Sequence, residues 1–322
     1  MTRAPWASQV VAHPHSDAAT VLCATSHGTV VRLRLSASAA DYSPPDVWLD
    51  AAATNECAVT SLDSDAATQE VVFATRAGAL ATAALEREGF SASFLQPGGS
   101  CTSFAAVRFV GTGGGGHRAA AGGSHVIATV GSAPGCSLFD PLAPPSTGPV
   151  LRCPGSSPGQ RFSCLSVEPG TSHGALLAAG CSDEPGACVW DTRQPSTPLW
   201  TWRQAGGGGA PGAHCTTVAF DPGACFSSTG GEYPMPPRTG AAAATTSTQR
   251  TSGLLLATSS GVLVGCTVSK EQQPQVGLAR ESAPVSHCAV VPGSRQQLAA
   301  VTDAECLLLW DARSAGALDA MM

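Results

Sequence analysis

Three short motifs in this sequence carry residue types that could do chemistry. The segment 170–174, with the sequence GTSHG, has the spacing of a nucleophile elbow, which presents a catalytic serine on a sharp turn between a strand and a helix. The segment 111–116, with the sequence GTGGGG, has the glycine spacing of a dinucleotide-binding loop. His13 and His15 stand two residues apart, so both could ligate one metal ion if they lay on the same face of a strand.

The residues around each motif favour turns over these three kinds of site. A β-type run follows the segment 170–174, whereas the elbow requires a helix there, and Pro169 before it ends a strand. The tract 111–116 is of low complexity, and no helical pattern follows it. Pro14 lies between the two histidines and likewise indicates a turn. We therefore expect none of the three motifs to work as a site.

The acidic and cysteine residues form no recognisable site either. Asp183-Glu184 and Asp303-x-Glu305 fall in expected hairpin turns, where carboxylates stabilise the turn and remain solvated. The thirteen cysteines include no Cys-x-x-Cys spacing, and most lie in apolar runs, so we expect buried free thiols. The sequence thus predicts a protein that is not an enzyme and that needs no cofactor, metal or small-molecule substrate.

The composition is typical of a globular protein. Of its 322 residues 43% are hydrophobic and the formal charge is −6, which excludes a disordered polyelectrolyte. The acidic balance opposes binding of nucleic acid by bulk charge, because that needs a dense surface of Lys and Arg. No run of 18 apolar residues occurs, so we expect no membrane insertion. These features leave other proteins as the expected partners.

The elements that would position all these residues recur six times along the chain. Each unit has one β-type run followed by a hairpin, whose two apolar runs meet in a turn rich in Gly, Ser or Asp. A short apolar piece between successive hairpins supplies a fourth strand. The hairpins begin at residues 21, 71, 126, 176, 254 and 298. No run keeps a helical stripe for ten residues, so the sequence predicts an all-β array of four-stranded sheets.

Two segments interrupt the repeat. Residues 227–252 are rich in Gly, Pro, Ala and Thr and cannot bury enough apolar surface to order themselves, so we expect a flexible insertion within the fifth unit. Residues 111–124 are a Gly/Ala-rich loop within the third unit. When both are set aside, the units have similar lengths, and the chain 1–322 is expected to form one domain.

The last apolar run of the hairpin ends in a recurring dipeptide, which resembles the signature of the WD40-repeat family. Two units carry it as Trp-Asp and a third as Phe-Asp, in the pairs Trp190-Asp191, Trp310-Asp311 and Phe139-Asp140. The resemblance implies a WD40-type β-propeller with six recognisable four-stranded blades, although seven are possible. It also implies that these six residues have a structural role.

The ring of such a propeller must close, because an open edge strand invites aggregation. The chain begins with an isolated β-type run and ends with a short tail. We expect the tail 317–320, or Pro5 and Trp6, to supply a missing strand of the first blade. The alternative is a seventh blade that is missing, degenerate or supplied by a partner.

One stretch is similar to a narrower group within the family, the WD-repeat subunits of the Y-shaped outer-ring complex of the nuclear pore. In it, Trp190-Asp-x-Arg193-Gln194 is followed by Pro198, and the last unit and the late insertion are also similar. The resemblance implies a non-catalytic scaffold subunit, with other outer-ring nucleoporins as partners. It further implies a location at the nuclear envelope and a part in mRNA and protein transport.

Two other classes of adaptor remain open. Trp-Asp-x-Arg resembles the motif by which WD-repeat substrate receptors dock on cullin-based ubiquitin ligases, with Arg193 and Arg313 as the contacts. A trafficking, chromatin or ciliary adaptor is the third class, with a cytoplasmic or nucleoplasmic location. Tyr233 and Met235 in the long insertion could form a docking segment that orders on binding.

Overall fold

The structure is a computed structural model in which nearly all of the described residues belong to β-strands and the turns between them. It describes residues 7–14, 18–36, 46–50, 54, 57–65, 68–85, 92–96, 103–110, 126–168, 176–204, 212–221, 252–268, 276–280, 284–290, 297–302 and 307–311.

The first three sheets have four antiparallel strands each, joined in chain order. The first contains β1 (Ala7–Pro14), β2 (Ala18–Thr25), β3 (Val30–Ser36) and β4 (Asp46–Leu49). The second contains β5 (Val59–Asp65), β6 (Glu70–Thr75), β7 (Leu80–Ala84) and β8 (Ala92–Gln96). The third contains β9 (Phe104–Val110), β10 (Val126–Gly131), β11 (Cys136–Phe139) and β12 (Leu151–Cys153), with a 3-10 turn at Pro145–Thr147 before the last strand.

The last three sheets repeat this plan until the end of the described chain. The fourth contains β13 (Phe162–Val167), β14 (Leu176–Cys181), β15 (Gly186–Asp191) and β16 (Trp200–Arg203). The fifth contains β17 (Cys215–Asp221), β18 (Ser252–Thr258), β19 (Val262–Val268) and β20 (Val276–Arg280). The sixth has three described strands, β21 (Val285–Val290), β22 (Gln297–Thr302) and β23 (Leu307–Asp311).

Successive sheets pack face to face, with the first strand of each against the first strand of the next. Apolar clusters fill the spaces between the first and second, second and third, third and fourth, and fourth and fifth sheets. This arrangement is a β-propeller, in which each four-stranded sheet is a blade. The predicted all-β fold and its six units are therefore confirmed.

The structure corrects two details of the expected chain organisation. The first sheet already has four strands between Ala7 and Leu49, so it has no vacant position for the tail 317–320 or for Pro5 and Trp6. Those segments lie outside the described residues.

The two interruptions, 111–124 and 227–251, also lie outside the described residues, between the first and second strands of the third and fifth blades. Ser252 is part of strand β18 and buried, so the expected insertion was one residue too long.

Three hairpin turns share a Thr-x-x-Gly motif that explains their glycine. The turns are 25–28, 75–78 and 258–261, and their glycines have φ values of +84°, +80° and +81°. Only glycine adopts this left-handed backbone at little cost. The threonine hydroxyl of each turn accepts the backbone N–H of the residue after the glycine, at 3.2, 3.1 and 3.1 Å. Local sequence thus determines where the second strand of each of these three blades ends.

Every blade has a β-bulge at the second residue of its first strand. The extra residues are Ser8, Thr60, Ala105, Ser163, Thr216 and Ser286. In three blades the hydroxyl at this position donates a hydrogen bond to the first backbone carbonyl of the next blade. The donors Thr60, Ser163 and Thr216 lie 2.7, 2.7 and 2.6 Å from their acceptors. In these three blades, the hydroxyl of the bulge residue thus joins the first strand to the first strand of the next blade.

We expect Thr216→Val to lower the free energy of unfolding by about 1 kcal/mol, because it removes one such bond without changing the side-chain volume. Urea unfolding followed by tryptophan fluorescence would measure the loss. Ala105, at the same position in the third blade, has no hydroxyl. Ala105→Thr is the reverse change and should preserve or raise stability. Equal stability of Thr216→Val and the wild type would contradict the proposed link between blades.

Candidate partner-binding surface

The Trp-Asp signature of the fourth blade joins that blade to the third. Trp190 is fully buried in strand β15, and its ring meets Phe162 edge-on at a centroid distance of 5.3 Å. Its indole Nε1–H donates to the carbonyl oxygen of Pro154 at 2.9 Å. Pro154 directly follows the last strand of the third blade, so the tryptophan connects two blades.

Asp191 caps the turn after this strand. Its Oδ1 atom accepts the backbone N–H of Arg193 at 3.0 Å and the guanidinium Nε–H at 2.9 Å, and Oδ2 accepts from Nη2. The Arg193 hydrogen bonds hold the pKa of Asp191 below its usual range. The arginine side chain is 63% exposed, so its guanidinium is presented at the surface while Asp191 orients it.

Phe139 and Asp140 occupy the same place in the third blade. Phe139 is buried and meets Phe104 edge-on at 6.2 Å. Asp140 Oδ1 accepts the backbone N–H of Leu142 at 2.9 Å, just as Asp191 does two residues before its own donor. Trp310 and Asp311 end strand β23, but their side chains lie outside the described part, as do all atoms of Arg313, Tyr233 and Met235.

Two of the three motifs with possible chemistry lie between antiparallel strands, whereas His13 and Pro14 are the last two residues of strand β1. Strand β14 follows the segment 170–174 and strand β10 follows the tract 111–116, where the catalytic or nucleotide-binding motif requires a helix. Both segments, and His15, lie outside the described residues, as do Asp303 and Glu305. Within the described ranges, no group of three His, Cys, Asp or Glu side chains could hold a metal ion.

The Asp183-Glu184 turn is held by its own blade. Asp183 forms a surface ion pair with Arg161 at 3.1 Å, and Glu184 accepts a hydrogen bond from the Gln160 amide at 2.9 Å. Glu184 also lies 3.5 Å from Arg203. Both carboxylates thus bind side chains from outside the turn, where the sequence predicted solvated carboxylates that stabilise the turn itself. No helix in the described chain is long and apolar enough to cross a bilayer.

The described cysteines are free thiols, as expected. Of the ten in the described ranges, seven are buried and three are partly exposed. Two of the partly exposed thiols, Cys23 and Cys57, lie in or beside the first two blades, and the third is Cys164 in the fourth.

One face of the sixth blade is apolar and uncovered. Leu307 and Leu309 on strand β23 are 65% and 67% exposed, and Val301 opposite Leu307 is 40% exposed. The register places Ala187 and Val189 of the fourth blade at the positions of these leucines, and both are buried against the fifth blade. We call Val301, Leu307 and Leu309 the open face.

The face of the first blade that would pack against a preceding blade is also less covered than the same face of the second blade. Val21, Cys23, Val31 and Leu33 are partly exposed there, whereas the matching residues of the second blade are buried against the first. Among the described residues, the first and sixth blades do not pack against each other as successive blades do. The bulge residue of the sixth blade, Ser286, donates its hydroxyl hydrogen bond to the carbonyl oxygen of Val301 in the same blade, at 2.9 Å.

Sequence reasoning did not identify the open face. Leu307 and Leu309 are apolar strand residues like their buried equivalents, so their types gave no sign of exposure. A weak signal exists in their size, since bulkier side chains stand where the fourth blade has Ala187 and Val189. Their exposure depends on which sheet comes next, and periodicity within a strand contains no information about that.

Comparison with known proteins supports the fold of the chain. No family model matches the chain, and no curated protein matches it. Among solved structures, the chain is similar to Chaetomium thermophilum Raptor, which contains a WD40 propeller, with a TM-score of 0.62 and 11% sequence identity. The likeness covers 97% of this chain and 24% of Raptor, so the chain spans about a quarter of that protein. At this identity the similarity establishes the architecture alone: the chain folds as a β-propeller.

Proposed function

We propose that this protein is a non-catalytic scaffold that binds another protein through the open face of its sixth blade. The observation that carries the proposal is the exposure of Leu307 and Leu309, at positions where other blades bury their side chains. Large apolar side chains clustered on a surface mark sites of protein association. Two exposed leucines on one strand, with Val301 beside them, form such a cluster.

The partner that best fits this face is a β-strand with apolar side chains at alternate positions. Blades one to five pair their third strand with a fourth, whereas β23 has no pairing partner on its outer side among the described residues. An added antiparallel strand would pair with the exposed backbone groups, and its alternate side chains would extend the apolar surface. The partner subunit would thus provide what the next strand and blade provide elsewhere.

The assembly we propose is the outer ring of the nuclear pore, with outer-ring nucleoporins as partners and the nuclear envelope as the location. The proposal is supported by the stretch from Trp190 to Pro198, whose sequence is similar to WD-repeat subunits of that complex. An apolar docking face suits a permanent subunit, because obligate interfaces are more hydrophobic than transient ones. Transport of mRNA and protein would follow from membership of that assembly.

A second candidate is a substrate receptor of a cullin-based ubiquitin ligase. The observation that favours it is the exposed guanidinium of Arg193, which Asp191 holds in a fixed orientation. Arginine is common in the energetic centres of interfaces, and an oriented side chain loses less entropy on binding. In this case Arg193, and not the open face, would provide the main contact.

We expect Leu307→Asp with Leu309→Asp to weaken partner binding at least ~10-fold, since each buried leucine contributes about 1.5–3 kcal/mol. The measurement is affinity purification of the tagged full chain with quantitative mass spectrometry. Leu142→Asp is the matched control, because Leu142 is 74% exposed on a loop of the third blade. The midpoint of thermal unfolding should stay the same in both variants, since all three leucines are exposed.

The identity of the lost proteins separates the candidates. Outer-ring nucleoporins that are lost from the double variant and retained by Leu142→Asp, together with a nuclear-rim signal of the tagged protein, support the proposal. A cullin adaptor that is retained by the double variant and lost from Arg193→Ala supports the second candidate instead. If the double variant binds every partner as the wild type does, the open face is not a docking surface.

A further inference from the structure

Two thiols from neighbouring blades are in contact near the propeller axis. Cys164 belongs to β13, the first strand of the fourth blade, and Cys215 begins β17, the first strand of the fifth. Their Sγ atoms lie 4.0 Å apart, and Cys164 Sγ also lies 3.8 Å from the carbonyl oxygen of Cys215. The Ser163 hydroxyl holds the same carbonyl at 2.7 Å, which fixes the two strands relative to each other.

A glycine opposite the pair makes room for both sulfur atoms. Gly180 lies in β14, inside a strand, where a glycine weakens pairing and often marks a close approach of another group. A Cβ atom there would come within 2.5 Å of each of the two Sγ atoms. Any other residue would separate the thiols, so the absence of a side chain at Gly180 allows their contact.

The environment divides the two thiols into a more acidic and a less acidic group. The hydrogen bond between the two thiols lowers the pKa of Cys164 by more than burial raises it, and the charge of Arg108 acts in the lowering direction as well. The same hydrogen bond, together with burial, raises the pKa of Cys215. Cys164 is partly exposed, whereas Cys215 is fully buried. Of the two residues, Cys164 is therefore the one nearer the surface and the one whose thiol more readily forms the nucleophilic thiolate.

We propose that Cys164 and Cys215 form a reversible oxidation site, in which a hydroperoxide converts the pair to a disulfide between the fourth and fifth blades. The Cys164 thiolate attacks the terminal peroxide oxygen, so the O–O bond breaks and a sulfenic acid forms; the other peroxide oxygen leaves, after protonation, as water from hydrogen peroxide or as an alcohol from an organic hydroperoxide. The Cys215 thiol then attacks the sulfenic sulfur, so the S–O bond breaks, the S–S bond forms and the hydroxyl leaves as water with the thiol proton. The two sulfur atoms lose two electrons in total, and these reduce the peroxide.

The disulfide would connect segments that are far apart in sequence. It closes a loop of about 50 residues, and cross-links across long loops restrict the unfolded chain most strongly. Two other pairs lie in contact but within single blades. Cys136 faces Cys153 across two strands of the third blade, and Cys181 lies near Cys188 in the fourth. All four of these thiols are buried, so the proposal predicts that they stay reduced.

The experiment treats the reduced full chain with a small excess of hydrogen peroxide, blocks the remaining thiols and maps disulfides by mass spectrometry after digestion with two proteases. A disulfide between Cys164 and Cys215 should be the main product, and dithiothreitol should reverse it. The midpoint of thermal unfolding should rise by roughly 5 °C or more when the disulfide is present.

Two variants test the order of the steps. In Cys215→Ser, dimedone should trap a sulfenic acid at Cys164, because no thiol remains to displace it. In the matched Cys164→Ser variant, Cys215 should give no adduct, since it is buried. The proposal is overturned if both thiols stay reduced in the wild type while other cysteines oxidise, or if the Cys136–Cys153 or Cys181–Cys188 disulfide forms first. The wild-type map decides between these outcomes even if a variant fails to fold.

Discussion

Trp190→Ala is expected to lower the free energy of unfolding by about 3–5 kcal/mol, the usual range for truncating a large buried aromatic residue. The indole is fully buried between the third and fourth blades, and its edge-on contact with Phe162 would be lost. The carbonyl oxygen of Pro154 would also lose its donor. Urea unfolding of the full chain would measure the change.

Two further tryptophan variants separate the causes of that loss. Trp190→Phe keeps most of the apolar contact and removes the donor, so it should lose about 1–3 kcal/mol. Trp200→Ala is the matched control, because Trp200 is only half-buried in the outer strand of the same blade. If Trp190→Ala loses no more stability than Trp200→Ala, the signature tryptophan does not join the two blades as described.

The repeating elements of this fold were predictable because their causes are local. The Thr-x-x-Gly turns depend on residues within one turn, so their position can be recognised in the sequence. The Trp190-Asp191 ending is local in the same sense, and its Asp caps the turn that follows. The contact between Trp190 and Pro154 is not local, because it joins residues 36 positions apart on different blades.

Features that depend on neighbouring blades were not predictable. A bulge at Thr60 or Thr216 is a shift in strand register, which appears only when both strands are placed. The contact of Cys164 with Cys215 depends on the close packing of two blades and on Gly180 between them. The sequence identified the cysteines as buried thiols, but their pairing follows from the three-dimensional arrangement.

Gly28→Ala is expected to lower the free energy of unfolding by about 3 kcal/mol, through backbone strain and a steric clash together. Its φ of +84° is costly for any residue with a Cβ atom. The added atom would also come within 2.5 Å of the Cys57 carbonyl oxygen, and closer still to the Thr54 hydroxyl. That hydroxyl donates to Gly28 O at 3.2 Å, so the change also disturbs the bond between the turn and the segment leading to the second blade.

Gly159→Ala separates the strain from the clash. Gly159 has a similar φ of +77°, but no atom lies within 4 Å of the position that its Cβ would take. It should therefore lose only the backbone term, about 1–2 kcal/mol. Equal losses in the two variants would mean that the turn at Gly28 moves away from Thr54 and Cys57 without cost. A clearly larger loss at Gly28 would mean that this turn is held against the neighbouring blade, as the repeated packing of the propeller requires.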